Sequence, residues 1–247
     1  GPFNPDTLSL TRTVIEAGIP YADINDDVET LQSVFESEYL GSLAKHRGVG
    51  VLPGLGASPG QTNVLARHMA GRMDIVEEVR FFMVNDASYR SEAVWRHRLA
   101  LFSQSALLYD RGRWTQTPGM SEFQDVAFPA PWGNIRCYNV GLETVTIPMS
   151  FKGLLHASLW RGFSDPDTTD TLKGLVDAGF ASEETLEVDG VSITPAALSA
   201  AVLAGTQRAG DSPDPGRLPR QVRVKGVREG REAELTMTYS FPRGDIA

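Results

Sequence analysis

Over the first 70 residues the apolar positions recur with helical spacing, broken by short apolar runs. Leu10, Val14 and Ala17 fall on one face, with Asp6 or Thr7 ahead of them as cap and Gly18 behind as stop. This predicts a helix to about Ala17. Ile19 to Ile24 then reads as a short strand. A second helix is predicted from Asp26 or Asp27, carrying Val28, Leu31, Phe35 and Leu43 and ending before Gly48. Val49 to Leu52 is a short buried strand, Gly54 to Gly60 a Gly-rich turn, and a third helix carries Val64, Leu65, His68 and Met69. Strands alternating with helices in this way imply βαβ units and a parallel sheet.

Beyond about Asp74 the pattern changes. Ile75 to Val84 is a strand and Ser91 to Ser103 a short helix. Ala106–Tyr109 and Trp114–Thr117 flank Asp110-Arg111-Gly112-Arg113, a hairpin turn by composition. Further strands are expected at Ile135–Tyr138, Thr144–Pro148 and Leu154–Trp160, and helices at Thr168–Ala178 and Pro195–Ala204. Residues 209–219 have loop composition. A last hairpin joins Gln221–Val227 to Ala233–Ser240 through Arg228-Glu229-Gly230-Arg231, with Val222, Val224 and Val227 facing Leu235, Met237 and Tyr239. The fold class expected is α/β plus α+β: a partial Rossmann-like parallel sheet over residues 1–72, then a mixed or antiparallel sheet over 73–247 that binds substrate or makes a dimer.

Composition narrows the options. A chain of 247 residues with 41% apolar and 22% charged residues can bury a full core without disulfides or metals. Its formal charge of −8 argues against general nucleic-acid binding, which draws on Lys and Arg. Its single cysteine, Cys137, excludes an internal disulfide and fits a reducing cytoplasm. There is no CxxC or HExxH pattern, so no zinc site is expected. No run of about 18 apolar residues suggests a membrane span, and the start does not resemble a signal peptide.

Four places invite a chemical reading. Gly54-Leu55-Gly56-Ala57-Ser58-Pro59-Gly60 follows a strand and opens a helix, as a dinucleotide fingerprint does. Its spacing is GxGxxxG, however, and Pro59 removes an N–H that a pyrophosphate cradle needs; Asp86 lies too far on to be the acidic partner. A tight strand-to-helix turn, or a turn lining a site, are the other readings. Tyr21-Ala22-Asp23-Ile24-Asn25-Asp26-Asp27 ends a strand, where open α/β sheets place ligands, making Asp23 a candidate contact. Asp26 and Asp27 read better as caps of the next helix. Cys137 reads as buried filler. His46, His68, His97 and His156 show no pairing, and His156 reads as a core histidine. No GxSxG elbow marks a serine hydrolase.

Three segments together resemble the saccharopine dehydrogenase (saccharopine reductase) family. They are Gly1-Pro2-Phe3 with Glu16-Ala17-Gly18 and Tyr21-Ala22-Asp23; Leu55-Gly56-Ala57-Ser58-Pro59-Gly60 with Asn63 and Leu65; and Leu107-Leu108-Tyr109-Asp110-Arg111-Gly112-Arg113-Trp114. The resemblance implies a two-domain, cytoplasmic, dimeric oxidoreductase that moves a hydride between NAD(P) and a C–N bond of an amino-acid-like substrate. It implies that Gly1, Pro2, Phe3, Tyr21, Asp23, Ala57, Ser58, Pro59 and Gly60 border cofactor and substrate. Carboxylates of such a substrate need cations, and Arg136 and Arg161 are the candidates, set against ordinary salt bridging for each. No catalytic acid or base stands out.

The family's GxGxxG turn comes before its GPF motif, and here nothing precedes Gly1; the family's C-terminal helical segment is not evident either. The expectation is therefore an enzyme lacking the phosphate-binding half of its Rossmann domain. The alternative expectation is a non-enzymatic substrate-binding or dimerisation module that has lost that half. Gly1-Pro2 is either native loop or the remnant of a removed tag.

Overall fold

The computed structural model describes residues 6–85, 91–141, 143–206 and 217–242. The Gly1-Pro2-Phe3 segment and Asp86 lie outside the described residues. The N-terminal stretch runs α1 (Asp6–Glu16), β1 (Tyr21–Ala22), α2 (Val28–Glu36), α3 (Glu38–Arg47), β2 (Val51–Leu52) and α4 (Gln61–Ala70). β1 and β2 pair in parallel, Tyr21 opposite Val51.

The single helix expected from residue 26 to 47 is instead two. Ser37 is extended and its Oγ accepts from the Leu40 N–H at 3.2 Å, so it closes α2 and caps α3 in one residue. A serine side chain competes with the helical backbone in this way, and apolar spacing alone does not register it. Asp27 caps α2 as expected, accepting from the Thr30 N–H at 2.8 Å; Asp26 does not cap it.

The remaining elements are β3 (Ile75–Asn85), α5 (Glu92–Ser103), β4 (Ala106–Asp110), β5 (Arg113–Thr117), β6 (Phe123–Phe128), β7 (Gly133–Val140), a 3₁₀ turn at Glu143–Val145, α6 (Ile147–Ser150), β8 (His156–Phe163), α7 (Pro166–Asp177), β9 (Leu186–Val188), β10 (Val191–Ile193), α8 (Pro195–Thr206), β11 (Arg217–Arg228) and β12 (Arg231–Pro242). Eight of these strands form one mixed sheet. Its path runs β12-β11-β3-β8-β4-β5, and β7 lies on β8 and carries β6. β3 and β8 are parallel, Phe81 opposite Leu159; the other pairings are antiparallel. The small parallel sheet beside a large mixed one matches the fold class expected.

Two further expectations need correction, and two elements were not foreseen. Thr144–Pro148 is not a strand. The Thr144 hydroxyl donates to the Leu107 carbonyl at 2.7 Å and the Thr144 carbonyl accepts from Trp114 Nε1 at 2.9 Å, which folds the segment onto the β4–β5 hairpin. Pro148, with no N–H for a ladder, sits in the first turn of α6. β6 was not expected at all. The β9–β10 hairpin was also missed, although Asp189-Gly190 between alternating residues is a strong hairpin signal, and both residues have positive φ. Residues 217–219, expected as loop, begin β11.

The sheet is buried on both faces where β3 runs through it, which is why Phe81-Phe82-Met83-Val84 is continuously apolar. Val79, Phe81 and Met83 pack with Leu159 and Phe163 of β8, Val222 and Val224 of β11, Trp95, Leu99 and Phe102 of α5, and Ala66 and Met69 of α4. Phe82 and Val84 pack on the opposite face with Val126, Phe128, Ile135, Cys137 and Trp160. Burial pushes the Cys137 thiol up to about 12, so it is inert filler as expected. Each fully buried large side chain contributes roughly 1.5–3 kcal/mol. Because α4 belongs to the larger cluster, the turn that starts α4 is held against the large sheet. No helix among the described residues is long and apolar enough to cross a membrane.

Candidate functional site

Asp23 follows β1 and organises the loops at the carboxyl ends of both short strands. Its Oδ2 accepts from the Tyr21 hydroxyl at 2.7 Å. Its Oδ1 accepts from the N–H groups of Asn25 at 2.9 Å and Gly54 at 2.8 Å. Its backbone carbonyl accepts from the Leu55 N–H at 2.7 Å. One carboxylate thus ties the β1–α2 loop to the turn after β2. Burial, then the hydrogen bond to Asp23, pushes the Tyr21 phenol above its usual range.

The Gly54–Gly60 turn closes on itself. The Ser58–Pro59 bond is cis, and Gly60 has φ +116° at the start of α4. A Cβ at Gly60 would lie 2.4 Å from the Gly56 carbonyl oxygen and 2.7 Å from that of Gly54. Only glycine satisfies both the positive φ and the contact. The interior of the turn is filled by its own backbone, the Gly54 and Gly56 carbonyl oxygens and the Gly56 nitrogen all lying against Gly60. The residues present therefore do not fit a pyrophosphate cradle, and the turn walls the site instead.

Arg161 enters from the large sheet. It lies between Leu159 and Phe163 on β8, on the face covered by helices, and is only 7% exposed. Its Nη2 donates to Ser58 Oγ at 3.1 Å, across 103 residues of sequence. Its Nε is buried with no partner, and among the described residues no carboxylate forms an ion pair with it. A buried guanidinium left in this state costs several kcal/mol at the order-of-magnitude level unless something anionic completes it. Two nearby amides are also incompletely used. Asn25 is fully buried; its Oδ1 accepts from the Asp27 N–H, and its Nδ2 has no partner. Asn63 donates to Thr146 Oγ1 at 2.6 Å and leaves its Oδ1 unmatched.

Asp26 supplies the negative charge. Its Oδ2 lies 3.1 Å from His97 Nε2 on α5. Burial alone would raise its carboxyl, but the hydrogen bond from His97 and the charges of His97 and Arg161 outweigh it and hold the group below its usual range. Asp26 is therefore ionised at neutral pH and lies within electrostatic reach of Arg161 without bonding to it. His97 and Asp26 are the pair that sequence reasoning missed, since 71 residues separate them and no local pattern marks either. His156 was also misread: it is half-exposed and its Nδ1 lies 2.9 Å from Asp110 Oδ1.

Tyr21, Asp23, Ala57, Ser58, Pro59, Gly60 and Arg161 are thus linked through the two loops, while Gly1, Pro2 and Phe3 lie outside the described residues. Arg136 stays apart. It is half-exposed, bound to Asp125 at 3.0 Å through Nε, and stacked 4.4 Å from the Phe123 ring. Among the described residues no group of three or more His, Cys, Asp or Glu side chains could hold a metal.

No family model matches this sequence. Among solved structures, the chain is similar to apo saccharopine dehydrogenase (L-Glu forming) from Saccharomyces cerevisiae, with a TM-score of 0.59 and 12% identity over 97% of this chain and 69% of that one. An oxidoreductase from Pseudomonas syringae matches at a TM-score of 0.33 and 15% identity, over 99% of this chain and 53% of that one. Biliverdin reductase from Synechocystis, in complex with biliverdin and NADP+, matches at 0.29 and 10%, over 95% and 62%. The latter two scores are too low to carry an argument. At 12% identity the likeness to the yeast enzyme is one of fold, and the chain has a Rossmann-like fold of mixed α/β class.

Proposed function

We propose that this chain forms the substrate-binding part of an oxidoreductase that transfers a hydride between NAD(P) and a C–N bond of an amino-acid-like substrate. The observation that carries the reading is Arg161, a buried guanidinium with one neutral partner and an unmatched Nε, placed where parallel strands end. Arg is well shaped to bind a carboxylate in such a position. Asp26, ionised and opposite in sign, suits the ammonium of the same zwitterion.

The Gly54–Gly60 turn does not supply the phosphate cradle. In this proposal Tyr21, Asp23 and Ala57–Gly60 border the nicotinamide side. The role of these residues is positioning and exclusion of water. The reading also includes a homodimer through the antiparallel sheet, which a monomer in light scattering at high concentration would overturn.

The test uses glutarate, a dicarboxylate without nitrogen, titrated calorimetrically into the wild-type chain and Arg161→Gln. Binding that weakens at least about tenfold in the variant, near 1.4 kcal/mol, supports the carboxylate anchor. Equal binding to both proteins, or none to either, overturns it.

A further inference from the structure

β9 and β10 form a hairpin through Asp189-Gly190, with Val188 opposite Val191 and Leu186 opposite Ile193. Alternation along each strand puts these four side chains on one face of the ribbon and Glu187 and Ser192 on the other. Ile193 is half-buried, but Leu186 is 53% exposed, Val188 47% and Val191 59%. A two-stranded ribbon is stable in water only when its apolar face lies on a further strand or a helix. The base of this ribbon is nonetheless fixed. The Ala196 N–H donates to the Ser182 carbonyl at 2.9 Å, Ser199 Oγ donates to the Phe180 carbonyl at 2.9 Å, and Arg96 of α5 holds Glu183. The ribbon is pinned at its root with its apolar side uncovered.

The helix that follows repeats the pattern. α8 carries no charged residue. Ala196, Ser199 and Ala200 pack inward, while Leu198, Ala201 and Val202 stay exposed. A helix apolar on every side belongs in an enclosed place. Phe180, whose carbonyl is tied to α8, is half-exposed as well. Scattered exposed apolar side chains are ordinary, but a whole ribbon face beside an uncharged helix marks a contact surface. Its charge indicates what covers it. Residues 174–206 include five carboxylates and no Lys, Arg or His. Asp177 is taken by Lys173 and Glu183 by Arg96, whereas Glu184, Glu187 and Asp189 form no ion pair among the described residues.

We propose that the β9–β10 ribbon and the outer side of α8 dock an amphipathic helix of a partner protein, one whose apolar stripe is flanked by Lys and Arg. The apolar pairs of the ribbon span roughly 10 Å, which two helical turns cover. Apolar side chains of the partner at i and i+4 fill the face made by Leu186, Val188 and Val191. Its flanking cations meet Glu184, Glu187 and Asp189 at the rim. A second copy of this chain is the poorer occupant, because two-fold packing sets each of these carboxylates near its own copy. The surface uses neither Arg161 nor the strand-end loops, so it stands apart from the substrate-binding reading.

The experiment uses three labelled peptides of about two heptads. One is built of Leu and Lys in helical period, one has Glu in place of each Lys, and one has Ser in place of each Leu. Their binding to the whole chain is read by fluorescence anisotropy at about 0.15 M salt, where distant charges are screened. The Leu/Lys peptide is expected to bind at least about tenfold more tightly than either control, near 1.4 kcal/mol. Val188→Thr with Val191→Thr keeps the β-branching that suits the ribbon and should weaken that peptide about tenfold. Glu184→Lys with Glu187→Lys leaves the apolar face intact and should invert the preference toward the Leu/Glu peptide. Circular dichroism of both variants is expected to match wild type; if the Val188/Val191 variant does not fold, the charge-reversed one decides. Equal binding of the three peptides, no binding of any, or an unchanged preference after charge reversal overturns the proposal. So does a wild-type dimer in sedimentation that Val188→Thr with Val191→Thr converts to monomer, since a second copy then covers the ribbon.

Discussion

The two parts of the molecule differ in how much of what they bury is polar. Around β3, β8 and β11 the interior is largely apolar, and two of its buried polar side chains are well matched: Asn139 donates to Thr117 and Pro118 and accepts from Glu122, and Thr169 accepts from Phe163. At the ends of β1 and β2 a smaller volume holds Asp23, Asn25, Asp26, Ser58 and Arg161, and there Asn25 Nδ2 and Arg161 Nε stay unmatched. Unmatched buried donors cost roughly 1–3 kcal/mol each. The apolar core around β3 offsets that cost, while the strand-end region gathers charged and amide side chains in one place. Arg161 stands on the boundary: its backbone belongs to the ladder of the large sheet and its side chain to the strand-end loops.

Substitutions should separate these regions. The largest effect is expected from Phe81→Ala, which empties a fully buried position and should lower stability by about 3–5 kcal/mol in denaturant titration, with the large sheet and α5 melting together. Gly60→Ala meets both a positive φ and two carbonyl oxygens; about 2 kcal/mol of lost stability is expected, with loss of glutarate binding because Ser58 moves relative to Arg161. Arg161→Met should act in the other direction. Removing a buried unpaired charge is expected to raise stability by about 1 kcal/mol while abolishing glutarate binding. A destabilised Arg161→Met would show that the guanidinium is structural and would erase the contrast.

The smallest effect concerns acid. Asp26 ionises more readily in the folded chain than in the unfolded one, so its contribution is full above the unfolded Asp range near 3.9 and is lost as pH falls toward its lower folded value. Asp26→Asn should flatten the acid limb of the stability profile in that window and leave the limb above pH 5 unchanged.

Much of the large sheet was legible in sequence because its strands declare themselves locally. Phe81 to Val84 is a continuous apolar run, and Val222 and Val224 lie opposite Met237 and Leu235, although Val227 lies opposite Glu232 and Tyr239 opposite Arg220. The Asp23 and Gly54–Gly60 elements were legible too, since strand ends and Gly-rich turns have compositional marks. What failed was tertiary. Thr144 was drawn from a strand by Leu107 and Trp114, partners about 30 or more residues away. Ser37 broke a helix through a side-chain bond that periodicity does not weigh. Asp26 looked like a cap beside Asp27 because both suit that role, and only the position of α5 reveals that His97 claims one of them. Arg136 and Arg161 were indistinguishable as letters; their difference is that one has Asp125 opposite it on β6 and the other has no carboxylate bonded to it among the described residues.

The sealed thiol of Cys137 gives this chain a built-in clock. It is the sequence's single cysteine, and it lies beneath Phe82, Trp160 and Ile135 on the face of the large sheet away from the strand-end loops. A reagent that attacks thiolates finds few while that layer is shut, so the rate of alkylation is expected to follow openings of the layer. Ligands of the strand-end region that leave this rate unchanged act locally. Those that slow it have tightened the whole sheet through Arg161, and the chain reports the difference without any added label.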